Sequence, residues 1–475
     1  MTATIVDGRP GRAAVGRFMA PLLLGASLNP INSSIIATAL VAIGRDFSVG
    51  PAVTASLVAA LYLASAIGQP AFGTLADRLG PRRVFLAGLV LVAAGGVLGT
   101  FATSIPALVV ARVLLGLGTS AGYPTAVLAI RRWSTTHPGA PDGGMLGSLA
   151  IAGQVTATIG LPLGGLLVAL TDWRVTFLVN VPLAVVTAVA TMLWVPRDQS
   201  GSAADGRRAL RSVLAELDPG GLLLFGGVMA TLLFFLDDLQ RPSWLLGAAF
   251  VVLAVALIVW ELRIRRPFLD IRMLLRNRAL TATYLRVGAT FLVSYCVLYG
   301  LTQWLEQSRG LSSGEAGLVM LPMSVLAIVV SVPFSRRRMV RGALVLTAAA
   351  AVVGAAGILL FDAASPVWLL TIVIAVFGVL SGLGMIGNQA MLYQQAPYEQ
   401  LGVAAGLMRT FMYSGAILSS SLIAVSFDGR ASDGGLHAVA VALLLIGVLL
   451  AVATAVGLLW RRTPAPRSPR SEQVL

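Results

Sequence analysis

The chain has 475 residues, of which 57% are hydrophobic and only 11% are charged, and its mean hydropathy is +0.88. Soluble globular proteins carry roughly 25% charged residues, so the composition excludes that class and indicates a polytopic membrane protein. The formal net charge of +14 reflects 34 basic residues, all of them arginine, and a single cysteine, Cys296, excludes an intrachain disulfide.

Apolar runs long enough to cross a hydrocarbon layer of ~30 Å as helices recur along the whole chain. Their bounds at charges, glycine and proline predict an all-α fold with fourteen membrane-spanning helices. In chain order, the predicted spans cover residues 18–43, 51–72, 84–102, 106–130, 143–170, 176–195, 219–236, 243–262, 279–304, 314–335, 342–361, 366–394, 401–427 and 434–460.

The arginines predict the orientation of these spans. When both termini lie on one side, 26 of the 34 arginines fall in segments on that side, 5 on the other side and 3 within spans. Positively charged segments are retained in the cytoplasm. The sequence therefore predicts a multi-pass protein of the cytoplasmic membrane with both termini inside. Because topology explains the basic balance, we expect no nucleic-acid partner.

The first span contains a polar cluster around Pro30. Asn29, Asn32, Ser33 and Ser34 lie within its apolar run. Polar groups within hydrocarbon need hydrogen-bond partners. The cluster is therefore predicted either to bind a substrate or to bond to neighbouring helices, and the sequence leaves both alternatives open.

A charged corner, "GTLADRLGPRR", joins the second and third spans on the predicted cytoplasmic side. Gly73 and Gly80 allow unusual backbone angles. Asp77 can accept hydrogen bonds from a helix N-terminus, where the helix dipole favours an anion. Arg78, Arg82 and Arg83 can hold that carboxylate or reach lipid phosphates. The alternative is an ordinary positively charged loop.

The fourth span contains a charge, and the fifth contains small residues at close spacing. A charge at the bilayer centre costs from ~3 to more than ~10 kcal/mol, so Arg112 either snorkels to the outer surface or has a function. Gly160 and Gly164 have the small-x-x-x-small spacing of closely packed helices. Gly165 follows them, and Pro162 permits a bend.

Two polar connectors divide the chain. Residues 196–217 and the stretch "ELRIRRPFLDIRMLLRNR" flank a predicted two-helix hairpin. We expect an N-terminal six-helix bundle at 1–195, linkers and the two-helix insertion at 196–278, and a C-terminal six-helix bundle with a cytoplasmic tail at 279–475. The sequence contains no HExxH pair, P-loop or sizeable soluble segment, which predicts no cofactor, no metal and no enzymatic activity.

Few residues are candidates for proton transfer or for lining a cavity. No acidic residue lies near the middle of a predicted span. Glu306, at the outer end of the ninth span, is the candidate proton carrier, and a solvated helix end is the alternative. Polarity at depth indicates Gln154, Asn180, Tyr295 and Asn388 as cavity lining.

Several stretches of the chain resemble the major facilitator superfamily. "GTLADRLGPRR" resembles its signature loop, "ARVLLGLGTSAGYPTAVLAIRRW" its fourth-helix pattern, and "GSLAIAGQVTATIGLPLGGLL" its fifth-helix antiporter motif. "DWRVTFLVNVP", "PFLDIRMLLRNR" and "WLEQSRGLSSGEAGLVMLP" are similar to its fourteen-helix drug:proton antiporter branch. The order of these stretches extends the resemblance over nearly the whole chain.

The resemblance implies two six-helix bundles, plus a central two-helix insertion, that work by alternating access. It implies that one set of residues forms a breakable cytoplasmic gate with the other bundle: Gly73, Asp77, Arg78, Gly80 and Arg83. It implies that the fifth-helix motif packs through Gly147, Gly160, Pro162, Gly164 and Gly165.

For proton coupling, the resemblance implies that Arg112 tunes a nearby carboxylate. The first and fifth spans depart from the family pattern. The family has an aspartate where this chain has Asn32, a glycine where it has Thr156, and a proline where it has Leu161, so the proline is displaced by one residue. Since Asn32 cannot titrate, Glu306 is the candidate replacement.

The sequence therefore predicts a proton-driven, multidrug-type exporter of small apolar or cationic compounds that confers antibiotic resistance. Its expected partners are a small-molecule substrate, protons and the lipid bilayer, and we expect a monomer. The missing aspartate leaves open a specific metabolite transporter that works by uniport or symport. A membrane enzyme or sensor is the remaining alternative.

Overall fold

The computed structural model describes residues 12–136, 142–198, 218–237, 243–264, 267, 269, 271–337, 339–396, 401–427 and 429–460. All regular secondary structure in these residues is helical. The α-helices of the first bundle are Arg12–Ile35, Leu40–Asp46, Pro51–Leu79, Pro81–Thr100, Ile105–Ser120, Gly122–Thr136, Asp142–Leu170, Val175–Leu178 and Asn180–Trp194. The two helices of the insertion are Pro219–Asp237 and Trp244–Arg263. The remaining α-helices are Ile271–Arg276, Arg278–Tyr295, Thr302–Gln307, Ser313–Arg336, Val340–Ile358, Val367–Gln395, Leu401–Ser426 and Asp433–Trp460.

Each of the fourteen predicted spans corresponds to a helical segment within the described residues. Eleven segments are long and apolar enough to cross a membrane, and a bent pair in the first span raises the number to 12. In that pair, Ala13–Thr38 and Leu40–Asp46 meet at 54°. The seventh span, whose apolar helix Pro219–Leu232 is shorter, and the thirteenth, Leu401–Ser426, fall outside this set.

The second span is longer than its apolar run predicts, because the helix continues past residue 72 to Leu79. Gly80, with a φ of 97°, separates it from the third span, which begins at Pro81. Glycine adopts positive φ at little cost, and proline suits the first helical turn, where its missing N–H would have no partner. The charged corner is therefore mostly helical, with a turn of one residue.

Each bundle packs around its own helices, and two pairs of spans form the most extensive contacts between the bundles. In the first bundle, the first span packs on the fifth and sixth, and the fourth packs on the second and third. In the second bundle, the twelfth packs on the tenth and eleventh, and the ninth packs on the thirteenth. The second span contacts the thirteenth and the fifth contacts the tenth, which forms the interface. The seventh span also contacts the thirteenth and the second, so the insertion lies beside this interface.

The helix surfaces that face away from the interior of the protein are apolar. Val90, Leu170, Leu193, Trp244 and Leu245 are all more than two-thirds exposed. Such side chains are stable against lipid, and helices satisfy their own main-chain polar groups there. The protein is therefore a multi-pass membrane protein. We call the side that bears Gly80 the inner side and the opposite side the outer side.

Candidate functional site at the interface of the two bundles

Arg112 lies inside the first bundle and is only 1% exposed. Its Nε donates to the carbonyl O of Leu57 at 3.0 Å, and its Nη1 donates to that of Asn32 at 3.5 Å. Nη2 has no hydrogen-bond partner, and no carboxylate among the described residues forms an ion pair with the guanidinium. The side chain therefore does not snorkel, and the tuning of a nearby carboxylate that the resemblance implies stays a prediction.

The polar residues of the first span bond to neighbouring helices. Asn32 Nδ2 donates to Asn180 Oδ1 of the sixth span at 2.6 Å. Asn29 Nδ2 donates to the hydroxyl oxygens of Ser65 and Thr119 at 3.1 and 3.0 Å. In this structure, the cluster therefore holds the first, second, fourth and sixth spans together, which is one of the two alternatives left open by the sequence.

Tyrosines from both bundles meet beside Ser33. The hydroxyl of Tyr299 donates to the carbonyl O of Ser33 at 2.8 Å, and Tyr62 Oη lies 3.1 Å from Tyr299 Oη. Because the proton of Tyr299 is directed at Ser33, Tyr62 donates the second bond. The ring centroid of Tyr295 lies 5.6 Å from that of Tyr299 and 4.9 Å from that of Tyr62. Tyr299 lies in a π-helical turn, Cys296–Leu301, a distortion that is frequent at functional sites.

Glu306 is buried at the outer end of the interface and is 3% exposed. Ser313 Oγ lies 3.1 Å from its Oε2 and donates to it, whereas Oε1 has no hydrogen-bond partner in the described part of the structure. The helix Thr302–Gln307 packs on the helix Leu40–Asp46 of the first bundle, which bears Arg45. Glu306 is therefore not a solvated helix end.

Glycines bring the bundles into close contact near Glu306. A Cβ added to Gly165 would lie 2.3 Å from the carbonyl O of Ser313 in the other bundle, and one added to Gly317 would lie 2.9 Å from that of Leu161. A Cβ on Gly164 would instead lie 2.8 Å from a Cα of the first span, within the same bundle. Adjacent residues of the motif thus contact different bundles.

The rest of the fifth-helix motif follows the same division. A Cβ on Gly160 would lie 2.6 Å from Ser34 Cβ in the first span. Pro162 faces the other bundle, where a Cβ on Gly317 would lie 3.4 Å from the proline Cα. Gly147 lies in the helix Asp142–Leu170, but its surroundings are outside the described part of the structure. The side chain of Gln154 is also outside it.

A cavity of about 300 Å³ lies at the outer end of the interface. It is lined by Arg45 of the first bundle and by Gln307, Gly429 and Arg430 of the second. Arg430 Nη2 donates to the carbonyl O of Gln307 at 2.7 Å. The cavity is therefore bordered by a cationic side chain from each bundle.

The predicted gate residues lie at the inner end of the second span and in the turn that follows it. Asp77, Arg78 and Arg83 are exposed, and the carboxylate of Asp77 has no hydrogen bond or ion pair in the described part of the chain. The carbonyl O of Asp77 accepts from Arg132 Nη2 at 3.2 Å, within the same bundle. Gly73 is half-buried. The pairing of Asp77 with the other bundle stays a prediction.

Asp198 caps the helix that follows the corner. Its Oδ1 accepts from the backbone N of Arg82 at 3.3 Å, and its Oδ2 accepts from that of Arg83 at 2.9 Å. A Cβ on Gly80 would lie 2.2 Å from Asp198 Cγ, so this turn has no room for a side chain. The role that the sequence suggests for Asp77, an anion at a helix N-terminus, is filled by Asp198.

Two further contacts join the bundles towards the inner side. Gln69 Nε2 donates to Tyr413 Oη at 2.5 Å. The guanidinium carbon of Arg409 lies 4.2 Å from the ring centroid of Tyr123, which is a cation–π contact. No sequence pattern pairs these residues, because each pair joins the second or fourth span to the thirteenth.

Asn388 belongs to a polar network in the second bundle. It is 2% exposed, and its Oδ1 accepts from Nε of the buried Arg286 at 3.0 Å. Arg286 Nη2 also donates to Thr283 Oγ1 at 2.8 Å. In this structure Asn388 therefore supports a buried arginine.

No group of three His, Cys, Asp or Glu side chains among the described residues could hold a metal ion.

A group of hydrogen-bonded charged residues joins the outer ends of the first and sixth spans. Asp46 Oδ2 accepts from Trp173 Nε1 and from Arg174 Nη2, both at 3.0 Å. Arg174 also pairs with Asp172 at 2.8 Å. Its hydrogen bonds to Asp172 and then to Asp46 raise the pKa of the Arg174 guanidinium above its ordinary value. These contacts fix the outer end of the first span beside the loop that precedes the sixth span.

Comparison with known proteins agrees with this architecture. The chain is 30% identical over 440 residues to the "Uncharacterized MFS-type transporter YwoD" of Bacillus subtilis (strain 168), covering 90% of this chain and 94% of that protein. It is 28% identical over 435 residues to the "Tetracenomycin C resistance and export protein" of Streptomyces glaucescens, covering 86% of this chain and 75% of that protein.

The fold is similar to that of a solved structure, a crystal structure of a mutant of the nucleoside transporter NupG. The TM-score is 0.65 at 13% sequence identity, and the match covers 93% of this chain and 99% of that one. The family model of the Major Facilitator Superfamily matches residues 22–420. The chain therefore belongs to the major facilitator superfamily and is a membrane transporter.

Proposed function

We propose that the protein exports small organic compounds across the cytoplasmic membrane by proton antiport, as its two bundles open alternately to the inner and outer sides. The similarity to a resistance and export protein supports export. Both termini would face the cytoplasm, in accord with the arginine distribution. One chain would be the working unit, because a single chain contains both sides of the interface.

The burial of Glu306 is the observation that carries the proton coupling. Among the described acidic residues, Asp218, Glu261 and Glu306 are buried. Asp218 and Glu261 belong to the insertion, where Trp260 Nε1 donates to Asp218 Oδ1 at 2.7 Å. Of these three, Glu306 is the one that lies at the interface between the bundles.

The cost of burying a charge explains how Glu306 would couple protons to movement. Removing an ionised carboxylate from water costs several kcal/mol, even after relaxation, whereas a neutral carboxyl costs much less. Parting the bundles at the outer end would expose Glu306 to water and to external protons. Once protonated, it would favour closure of that end and the return of the carrier to the inward-facing state.

Transport in proteoliposomes with a pH dye in the lumen tests the coupling, with fluorescein and rhodamine 6G as probes. We expect Glu306→Gln to reduce dye movement driven by a pH gradient at least tenfold, because glutamine cannot take up the proton. Glu315→Gln is the matched control, since Glu315 is exposed and accepts from the backbone N of Ser312 at 2.8 Å. Gradient-driven transport by Glu306→Gln at the rate of the control would contradict the proposal.

Asn32 supports a second candidate function, the uniport or symport of a specific metabolite. The side chain cannot titrate, and it is bonded to Asn180. The same pH dye separates the candidates: a uniporter moves its substrate without changing the lumenal pH, and a symporter moves protons in the direction of the substrate.

A further inference from the structure

Arg112 is a buried charge without a counter-ion among the described residues. A guanidinium stays protonated in proteins, so burial does not neutralise it. Two of its nitrogens donate to main-chain carbonyl groups, and Nη2 has no acceptor among the residues that the structure describes. An uncompensated buried charge is costly. The buried guanidinium of Arg112 can therefore pair with an anion that a ligand supplies.

The surroundings of Arg112 suit an anion attached to an aromatic ring. The guanidinium fork matches the geometry of a carboxylate. Arg112 donates to the carbonyl O of Asn32, and the next carbonyl O along the chain, that of Ser33, accepts from Tyr299. The rings of Tyr299 and Tyr62 pack against Tyr295. The ring centroids of Tyr62 and Tyr413 lie 5.8 Å apart. A planar aromatic compound would find ring surfaces beside the charged group.

Alternating access provides a way to reach Arg112. The bond from Tyr299 to Ser33 and the bond between Tyr62 and Tyr299 both cross the interface. Parting the bundles would break both bonds and withdraw Tyr299 from the first bundle. The guanidinium would then lie beside an open central cavity, where Nη2 is available to a ligand.

We propose that Arg112 binds the anionic group of the transported compound, and that the cargo therefore bears a carboxylate or phenolate on an aromatic framework. This inference rests on the proposed function and names its substrate class. Among the described residues, no carboxylate lies beside Arg112 to attract a cation. The outer cavity on the exit side is bordered by Arg45 and Arg430, which also favours anions.

Binding of benzoate tests the site separately from transport. Thermal unfolding of the purified full-length protein would be followed with benzoate or with benzamide, its neutral analogue. Benzoate is expected to raise the Tm and benzamide is not, since a ligand of the folded state stabilises it by mass action. Arg112→Gln should raise the half-maximal benzoate concentration at least tenfold, which corresponds to about 1.4 kcal/mol.

Two more variants keep this test sharp. Arg112→Lys retains the charge but loses the fork, so its benzoate response should be weaker than that of the unaltered protein and stronger than that of Arg112→Gln. Arg131→Gln, which changes an exposed arginine at the inner end of the fourth span, should respond like the unaltered protein. No response to benzoate in the unaltered protein, an equal response to benzamide, or an unchanged half-maximal benzoate concentration in Arg112→Gln would overturn the proposal.

Transport of dyes with one ring size then tests the substrate class. Fluorescein is an anion, rhodamine 6G is a cation, and the free acid of rhodamine 6G restores a carboxylate to the same framework. We expect fluorescein and the free acid to move at least tenfold faster than rhodamine 6G, and Arg112→Gln to remove that preference. The reverse order would overturn the inference while leaving export intact. A benzoate response without movement of any dye would instead count against the proposed export and leave the anion site standing.

Discussion

The glycine contact at the outer end makes a prediction about conformation. Gly165→Ala would place a Cβ 2.3 Å from the carbonyl O of Ser313. This distance is far shorter than the ~3.5 Å that separates non-bonded atoms in favourable contact. The obstacle is main chain, so no side-chain rotation relieves it. Because Ser313 belongs to the other bundle, parting the bundles does relieve it. The substitution therefore acts against the closed outer end and spares the open one.

The size of the effect follows from the cost of overpacking. Inserting a methyl group into a well-packed contact costs about 1–3 kcal/mol, and each ~1.4 kcal/mol changes an equilibrium tenfold. The ratio of outward-open to outward-closed molecules should therefore rise about 5- to 150-fold. Gly164→Ala meets the first span of its own bundle in every state. It should lower the Tm without a comparable shift of this ratio.

Cysteine labelling measures this ratio. A reporter, Leu161→Cys, would be placed in a Cys296→Ala background and labelled from the outer side with a membrane-impermeant maleimide. Leu161 is 1% exposed and contacts Gly317 across the interface, so labelling requires opening. Gly153→Ala is the control on the same helix, because a Cβ there would lie 3.7 Å from the nearest atom, in Pro30. Equal labelling rates for Gly165→Ala and the control would refute the reasoning.

Three other substitutions have expected outcomes. Asp77→Asn should lower dye efflux at least tenfold with normal membrane insertion, measured in vesicles, and near-normal efflux would remove the gate assignment. Tyr299→Phe loses both the bond to Ser33 and the bond from Tyr62, each worth about 1 kcal/mol. It should speed outer labelling about 5- to 30-fold, whereas Tyr284→Phe, which loses a bond within the second bundle, should not. Asp46→Ala should reduce the free energy of unfolding by about 1–2 kcal/mol, measured as a lower Tm. An unchanged Tm would show that the bonds of Asp46 to Trp173 and Arg174 contribute little to stability.

The positions of the spans were predictable from sequence because the requirement is local. An apolar run of about 20 residues satisfies both the thickness of the bilayer and the main-chain hydrogen bonds of a helix. The ends were less predictable, since a helix can outrun its apolar segment. The second span does so, and it stops at Leu79 because Gly80 takes a positive φ and Pro81 starts the next helix.

The pairings at the candidate site were not predictable from one sequence. Tyr299 and Ser33 are 266 positions apart, and Asn32 and Asn180 are 148 apart. No period or motif links residues at such separations. Glu306 shows the same limit, because "WLEQSRG" has the composition of a helix end in water. The packing of the segment that bears Arg45 removes Glu306 from solvent, and that segment lies far away in the chain.

The two ends of the interface differ in chemistry, and the proposed antiport depends on this difference. The outer contact combines main chain against glycine with one buried carboxylate, which external protons would reach in the proposed cycle once the bundles part at that end. Towards the inner side, the bundles meet through Arg409 on Tyr123 and Gln69 on Tyr413. The charges of Asp77, Arg78 and Arg83 on that side are exposed and are therefore screened by salt. Identical ion pairs at both ends would make the carrier respond equally to protons from either side. In the proposed mechanism, closure depends on protonation at one end and on cation–π and amide contacts at the other, and this difference would convert a proton gradient into a direction of transport.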